Sequence, residues 1–471
     1  VPSQEYKNAV VAGVRQFVPR VEIYFDGESS PPLVLTGDDI IGFSLLEEAK
    51  ADEHVAAGFV TSNEFSLVLE NSDRRFSPAN ESSPYYGKIK PAVMIKPFLG
   101  IVLPDSSVEE VPLGVFWTDD WQAPATSVDA KVVCYDRLYE IMAMDVPMLP
   151  VMPDTTIGAM FARLFRALGL SDDEFSIGPR LDIPVKLGWL PRGKVGQALN
   201  LLAVAGSCSV TTGRDGVINV VSTFGVDTPY ATWTDNDMVI SAHNPHRYKD
   251  VYSRVSIKYA VPYIGEREEV LKISKFEIPN GVTTLNDIAF SKSPVAVVDS
   301  VELIGTDTAY ISNFEYGAMS MNLEITNPGN AHEVEVQVLG KPVGVNEAVL
   351  ALEDTEAVQE FGSKTLEIEN HLIQNSRLAK TYARAFLEHV KNPKTRYSIE
   401  SRGDPVLSVN DFLEIRDPSD KITSVIVRPM RINLEFDGGL KADIDARLSV
   451  VPSYWTMISP GLYVYTQARI E

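Results

Sequence analysis

Apolar and polar positions alternate with a period of two through much of this chain. In "RVEIYF", Val21, Ile23 and Phe25 alternate with Arg20, Glu22 and Tyr24. "NEFSLVLEN" repeats the pattern with Phe65, Leu67 and Leu69. "VMIKPFLGIVL", "VPLGVFWTDDW" and "SVDAKVVCYDRL" carry it on to Leu138. Such alternation buries one face of a sheet. Turn formers at Asp26-Gly27, Glu28 to Pro32, Asp105 to Ser107 and Ala123 to Thr126 separate the runs. Five or more short antiparallel strands predict a closed or nearly closed barrel, which hides sheet edges.

The period then changes. Pro147, Pro150 and Pro153 mark a linker. Beyond it, Ile157, Met160, Phe161, Leu164, Phe165 and Leu168 fall at three- and four-residue spacings, the stripe of an amphipathic helix. Thr155 or Thr156 caps it and Gly169 closes it. "KVGQALNLLAVAGS" predicts a second helix, and "CSVTTGRDGVINVVS" a hairpin turned at Gly213 to Gly216. Strand patterns return from Ala231 to Leu339. A helical run is then expected from Ile368 to Val390, with Leu372, Leu378, Tyr382, Ala385 and Phe386 on its apolar face. Strands close the chain, among them "RINLEFDG", an echo of "RVEIYFDG" near the start. The divisions are 1–146, an N-terminal arm and first barrel; 147–226, a small α+β unit; 227–360, a β-rich middle; and 361–471, a helix with a second all-β region.

Composition removes several functions. Of 471 residues, 42 are basic and 64 acidic, a formal net charge of −22. Proteins that grip phosphate backbones or anionic membranes need a basic footprint instead. No apolar run approaches the length of a membrane span, and the opening residues lack the uninterrupted apolar core of a signal peptide. Cys134 and Cys208 have no CxxC partner, which fits folding in a reducing cytoplasm.

Motifs for chemistry are sparse. His243 and His246, with Asp250 nearby, form the one close histidine pair, but Asn244-Pro245 breaks any helix that would align them. No HExxH, GxSxG, Walker or GxGxxG element occurs. Asp119-Asp120 and Asp172-Asp173 are acidic pairs of the kind glycosidases use, though neighbours on a strand face opposite ways. Catalytic, cofactor and metal residues are therefore all expected to be absent. The remaining oddity is a polar stretch, "ENSDRRFSPANESSPYYGKIKP", from Glu70 to Pro91. Loops of this length inside a domain are uncommon. Asn71 and Asp73 suit Asx turns, Arg74 and Arg75 suit forked hydrogen bonds, and Tyr85 and Tyr86 offer amphipathic contact area.

This loop and its flanks resemble a known family. "LVLENSDRRFSPANESSPYYGKIKPAVMIKPFLGI", then "EEVPLGVFWTDDWQAP" and "AKVVCYDRLYEI", are similar to the N-terminal region of the central hub proteins of bacteriophage baseplates and tail tips. "GKVGQALNLLAVAGSCSVTTGRDGVI", "IENHLIQNSRLAKTYARAFLEHV" and "FDGGLKADIDARL" resemble later parts of the same family. The resemblance implies a mainly β fold with α+β insertions, comprising two tube-like antiparallel β-barrels and peripheral wedge domains. It implies a homotrimer whose six barrels form a pseudo-sixfold ring. That ring caps the tail tube and passes DNA without binding it stably. Its partners would be a tail tube or distal tail protein, a tape measure protein and a tip spike or other baseplate proteins. Its place would be the virion, after assembly in the host cytoplasm and with no membrane anchor. Arg74, Arg75, Phe76, Tyr85 and Tyr86 would then make subunit or partner contacts, and the Ile368–Val390 helix would pack on the barrel's outer wall. Two other readings stand beside it, a tail-associated cell-wall hydrolase and a carbohydrate-binding tail protein. A cleft joining Trp117, Trp121 and acidic groups would favour either.

Overall fold

The computed structural model describes residues 2–49, 58–124, 127–223, 228–245, 248, 251–392, 396–409, 411–417, 422–448, 456–459 and 462–464. Its largest element is a sheet of fourteen strands built from both ends of the chain. The N-terminal half runs from Leu33–Leu35 through Phe17–Tyr24, Met94–Val102, Phe116–Gln122, Asp129–Tyr135 and Glu64–Glu70 to Ile40–Glu48. There it meets the other end: Ile40–Glu48 pairs antiparallel with Ile422–Phe436, from Phe43↔Phe436 to Glu48↔Arg431. Beyond that seam follow Leu440–Leu448, Arg396–Ser401 and Val239–His243, while Leu413–Asp417 pairs Ile422–Phe436 and carries Ala231–Thr234.

Period-two patterning explains why this sheet forms. Val21, Ile23, Leu45, Phe65, Leu67, Phe116 and Val132 share one buried cluster with Trp233, Ile399, Ile415, Leu434 and Ile444. The rings of Phe43 and Phe436 stack across the seam at 5.3 Å. Both halves of the echo lead into hairpins, the first through a long loop at 25–32 and the second through a tight one at 437–439. Each strand ends at Asp-Gly with glycine at positive φ, Gly27 at 88° and Gly438 at 98°, and then turns back. Only glycine takes that backbone region without cost.

The helix Gln4–Val11 begins where the Ser3 hydroxyl accepts a bond from the Tyr6 N–H, and it buries Tyr6 and Val10 against Ile101 and Val111. Sequence periodicity over eight residues is too short to announce it.

The α+β unit follows its sequence pattern. Thr156 caps the helix Ile157–Ala167 by accepting from the Ala159 N–H. The helix Val195–Gly206 ends at Ser207 in the left-handed region, and the hairpin Cys208–Thr212/Ile218–Ser222 closes through Gly213 N–H to Val217 O at 2.8 Å. The strand pattern continued to Leu138 ends earlier, because Asp136 caps a short helix, Arg137–Ala143.

The expected helix from Ile368 to Val390 is corrected at its start. Thr365–Asn370 is a strand lying parallel to Arg254–Ile264, and the helix is Ser376–Val390, opened by Asn375 accepting from the Leu378 N–H. Its packing is corrected too. Tyr382 and Phe386 bury with Leu199, Leu202, Ile257 and Ile368, so the helix covers the α+β unit and a second sheet rather than a barrel's outer wall.

The stretch 227–360 is divided. Ala231–Thr234 and Val239–His243 belong to the large sheet, whereas Glu268 to Asn327 forms short antiparallel strands around the first part of His332–Glu353. Val270, Met321, Leu323, Ile325, Val334, Val336 and Val338 make the core of this small β unit. The second part of His332–Glu353 pairs with Arg254–Ile264 and ties the small unit to the rest.

Candidate functional site

The outward face of the large sheet is one candidate. Strand register places a single row of residues across ten strands: Ser241, Glu400, Asp443, Asn433, Leu46, Glu64, Tyr135, Trp117, Met94 and Tyr24. The row has two characters. Toward the C-terminal strands it is polar and acidic, with Asp443 and Glu400 exposed. Toward the N-terminal strands it is aromatic and half-buried. Tyr135 stacks on Tyr139 at 4.2 Å.

Several cations on this face are engaged. Arg431 pairs with Glu48 at 3.0 Å and Lys441 with Glu435 at 2.8 Å. Arg20 pairs with Glu110 at 2.8 Å and lies 4.0 Å above the Phe98 ring. Lys96 reaches Glu28 at 2.6 Å. A surface whose guanidinium and ammonium groups already hold carboxylates has little to offer a phosphate backbone.

The 70–91 loop is the second candidate. It is a chain of linked turns: the N–H groups of Arg74, Ser77, Asn80, Ser83 and Tyr86 bond in succession to the carbonyls of Asn71, Arg74, Ser77, Asn80 and Ser83. Asn71 is buried, accepts from the Phe76 N–H at 2.8 Å and donates to Ser77 Oγ at 3.1 Å. Asp73 accepts from the Arg75 N–H at 3.0 Å, the Asx turn its residue type foretells. Arg74 has φ of 60° and Gly87 of 76°. Arg75 binds Asp39 at 2.6 Å and covers the Phe76 ring. Phe76 is fully buried inside its own chain. Tyr85 is sandwiched between Phe25 at 5.3 Å and Phe76 at 5.7 Å. Tyr86 points the other way and is 51% exposed. Of the five contact candidates, Arg75, Phe76 and Tyr85 thus serve the loop's own fold, while Tyr86 is left at the surface.

The candidates for chemistry do not converge. His243 is exposed at the end of its strand, and His246 and Asp250 lie outside the described residues. Among the described residues no group of three His, Cys, Asp or Glu side chains is placed to hold a metal ion. Asp172 pairs with Arg166 at 2.7 Å in an exposed turn. The strand Phe116–Gln122 carries a β-bulge between Thr118 and Asp120. Trp117 therefore stands opposite Tyr135 on the outer face, while Trp121 stands opposite the buried Val132. Without the extra residue, both tryptophans would share a face. The cleft that would have favoured a hydrolase or a sugar binder is not built from them. A cavity of about 420 Å³ is lined by Leu190, Arg192, Asp287, Met319 and Asn322, and there Asp287 is held in an ion pair by Arg192. Both cysteines are buried and free, and burial pushes their thiols up.

Some ties between parts of the chain had no sequence signal. Arg214, in the hairpin of the α+β unit, reaches the large sheet. It donates to both oxygens of the buried Glu47, at 2.9 and 3.2 Å, and to Leu407 O at 2.7 Å. The Tyr6 and Tyr230 hydroxyls donate to the buried Asp404, the latter at 3.0 Å. Burial raises the Asp404 carboxyl above its usual range. Residues so far apart in sequence give no local pattern, and an alternating strand does not announce a buried charge.

Sequence comparison with family models and with curated proteins gives no match. Comparison of folds does. The 43 kDa tail protein of prophage MuSo2 from Shewanella oneidensis superposes with a TM-score of 0.52 at 12% identity, over 91% of this chain and 98% of that one. The tail protein from Neisseria meningitidis MC58 gives 0.50 at 8% identity, over 92% and 96%. The prophage tail protein gp18 from Listeria monocytogenes EGD-e gives 0.44 at 8% identity, over 93% and 95%. The chain has the fold of phage tail proteins, and the resemblance read from its sequence holds at that level. Among the described residues no helix is long and apolar enough to cross a membrane.

Proposed function

We propose that this protein is a structural component of a phage tail or a related tail-like device, the central hub at its tip. The observation that carries this reading is the seam between Ile40–Glu48 and Ile422–Phe436. It makes the two all-β ends of the chain one wall, as a ring subunit needs. In the assembled ring each end of the wall closes as a barrel, two per chain. Three chains then present six similar units to a sixfold tube, through heterologous contacts that close on themselves. The acidic half of the transverse row faces the channel, where paired cations and exposed carboxylates let duplex DNA pass without adhering. Tyr86, exposed at the loop's surface, is the loop residue available to a neighbouring subunit or tail protein. The tail tube or distal tail protein above, the tape measure protein within and a tip spike below are its partners.

The reading is tested by native mass spectrometry and by reconstruction of the assembly without imposed symmetry. Three copies around an open channel are expected. Six copies, or a compact monomer at physiological concentration, would overturn it. A salt-sensitive shift of duplex DNA by the purified protein would overturn the account of the channel. Zymography on host cell walls is expected to show no clearing. Clearing lost on Asp119→Ala would restore the hydrolase reading.

A further inference from the structure

The large sheet stops at Val239–His243. That strand pairs with Arg396–Ser401 and with no other strand among the described residues. An open edge presents unpaired N–H and C=O groups to any strand that reaches it, and proteins usually cover or charge such edges. Here the edge carries Ile240, which is 62% exposed. A second apolar group, Val14, is 92% exposed on the turn that follows the N-terminal helix. This turn is fixed from both sides. Arg15 donates to Gly403 O at 2.7 Å and Leu440 O at 3.2 Å. Arg402 donates to Ala12 O at 2.6 Å and to Asp237 O at 3.1 Å, so one guanidinium holds both the turn and the approach to the edge strand. Apolar groups on a rigid support cost little ordering entropy when a partner covers them.

The chain also contains a segment in need of such a place. Thr456–Ser459 and Leu462–Val464 pair antiparallel with each other and, among the described residues, with no third strand. Their sequences, "TMIS" and "LYV", are rich in apolar residues. A lone two-stranded hairpin is marginal in water and needs a third strand or a packed face. The chain leaves the large sheet at Leu448, and seven residues, 449–455, lead to the hairpin. Fully extended they span at most ~25 Å. The chain's own open edge lies two strands away, roughly 10 Å at ordinary strand spacing. It is within reach, and among the described residues the hairpin does not pair with it.

We propose that the hairpin at 456–464 of one copy adds to the Val239–His243 edge of a second copy and covers Val14 and Ile240 there. The inference rests on the ring reading above and names the contact that links neighbouring chains. Backbone pairing supplies the affinity, and the two apolar groups supply the register.

Cysteine cross-linking tests it on the full chain, since both native cysteines are buried. Ile240→Cys and Met457→Cys, on separate chains and co-expressed, are expected to give a disulfide-linked pair of chains under mild oxidation, and neither variant alone should. A link formed only within a chain carrying both changes would overturn the proposal in favour of self-capping. No link in either arrangement would overturn it in favour of another tail protein as occupant. Native mass of the full chain and of a chain ended after Leu448 separates this idea from the ring reading. The shortened chain is expected to need at least tenfold more protein to assemble, with unchanged circular dichroism. If the full chain is itself a single copy, the ring reading fails as well. If both chains assemble equally, only the hairpin contact fails.

Discussion

The fourteen-stranded sheet, antiparallel but for the pairing of Ala231–Thr234 with Leu413–Asp417, and the antiparallel small β unit between Glu268 and Leu339 are both apolar on one face, yet they are assembled in opposite ways. In the small unit, partners are near in sequence: Tyr316 pairs with Met321 and Gly281 with Asn327. In the large sheet, the decisive pairing joins Glu48 to Arg431. Entry to and exit from the small unit are adjacent, since Gly265 N–H bonds to Pro342 O at 2.7 Å. The small unit therefore reads as an insertion with its own core, carried on a ribbon. The large sheet exists only when both ends of the chain come together. Damage to the first should stay local, and damage to the second should not.

The largest expected effect is at the tie between the α+β unit and the large sheet. Arg214→Ala leaves Glu47 buried without its partner, which typically costs about 3–5 kcal/mol. Unfolding should shift to lower denaturant for every probe at once. An unchanged midpoint would show that the tie is dispensable. Next, Leu323→Ala opens a cavity in the small core, at about 2–5 kcal/mol. The stretch 266–341 contains no tryptophan, though Trp189 packs against its Ala318, so Trp189→Phe is the background for this test and Trp233, buried in the large sheet, is the reporter. Tryptophan fluorescence should keep its transition while hydrogen exchange accelerates across the small unit. Coincident loss of both would refute its independence.

A graded effect is expected with pH. Asp136 joins the two neighbouring units: it accepts from the Asn63 N–H at 2.8 Å and the Leu138 N–H at 3.0 Å. Burial pushes its carboxyl up to about 7, against the hydrogen bonds that favour the anion. The folded chain therefore holds this proton more tightly than the unfolded chain does. The stability gained is complete below about pH 4 and is lost as pH rises through about 7. Asp136→Asn, which retains a capping side chain, should flatten that part of the stability–pH curve. A curve of unchanged slope would remove Asp136 from the account.

The smallest effect distinguishes two adjacent tyrosines. Tyr85→Ala removes two stacked contacts and should cost roughly 1–3 kcal/mol. Tyr86→Ala should change the stability of the single chain by less than about 0.5 kcal/mol, as exposed sites do. If Tyr86 meets another subunit, its variant should weaken assembly while the chain stays folded. Equal oligomer mass across a dilution series would assign Tyr86 to solvent.

Local signals were legible where one residue type has one physical use. Thr156 before an apolar stripe gave a capped helix, and Gly213 to Gly216 gave a turn. Asn71 and Asp73 formed the bonds their side chains favour. The start of the last helix was misread because Leu366 and Ile368 fit either period. Exposed Glu367 and Glu369 between them were the strand signal. The seam at Phe43 and Phe436, the bulge that parts Trp117 from Trp121, and the Arg214–Glu47 pair had no local signal. Each depends on a partner distant in sequence or on one extra residue in a strand. The 70–91 stretch was legible as a long loop, but its interior roles were hidden, since an aromatic that stacks within its chain looks like one that would stack on another.

The seam also orders events during synthesis. Ile40–Glu48 emerges from the ribosome early, and its partner Ile422–Phe436 is translated roughly 380 residues later. At about 5–20 residues per second, that edge waits on the order of 20–75 seconds for its strand. Meanwhile the small β unit, whose contacts are local, has time to fold, whereas the α+β unit still awaits Tyr382 and Phe386 of the late helix. The nascent chain passes through a stage with one finished insertion and an unfinished wall. The wall that the two ends share is thus completed only near the end of translation.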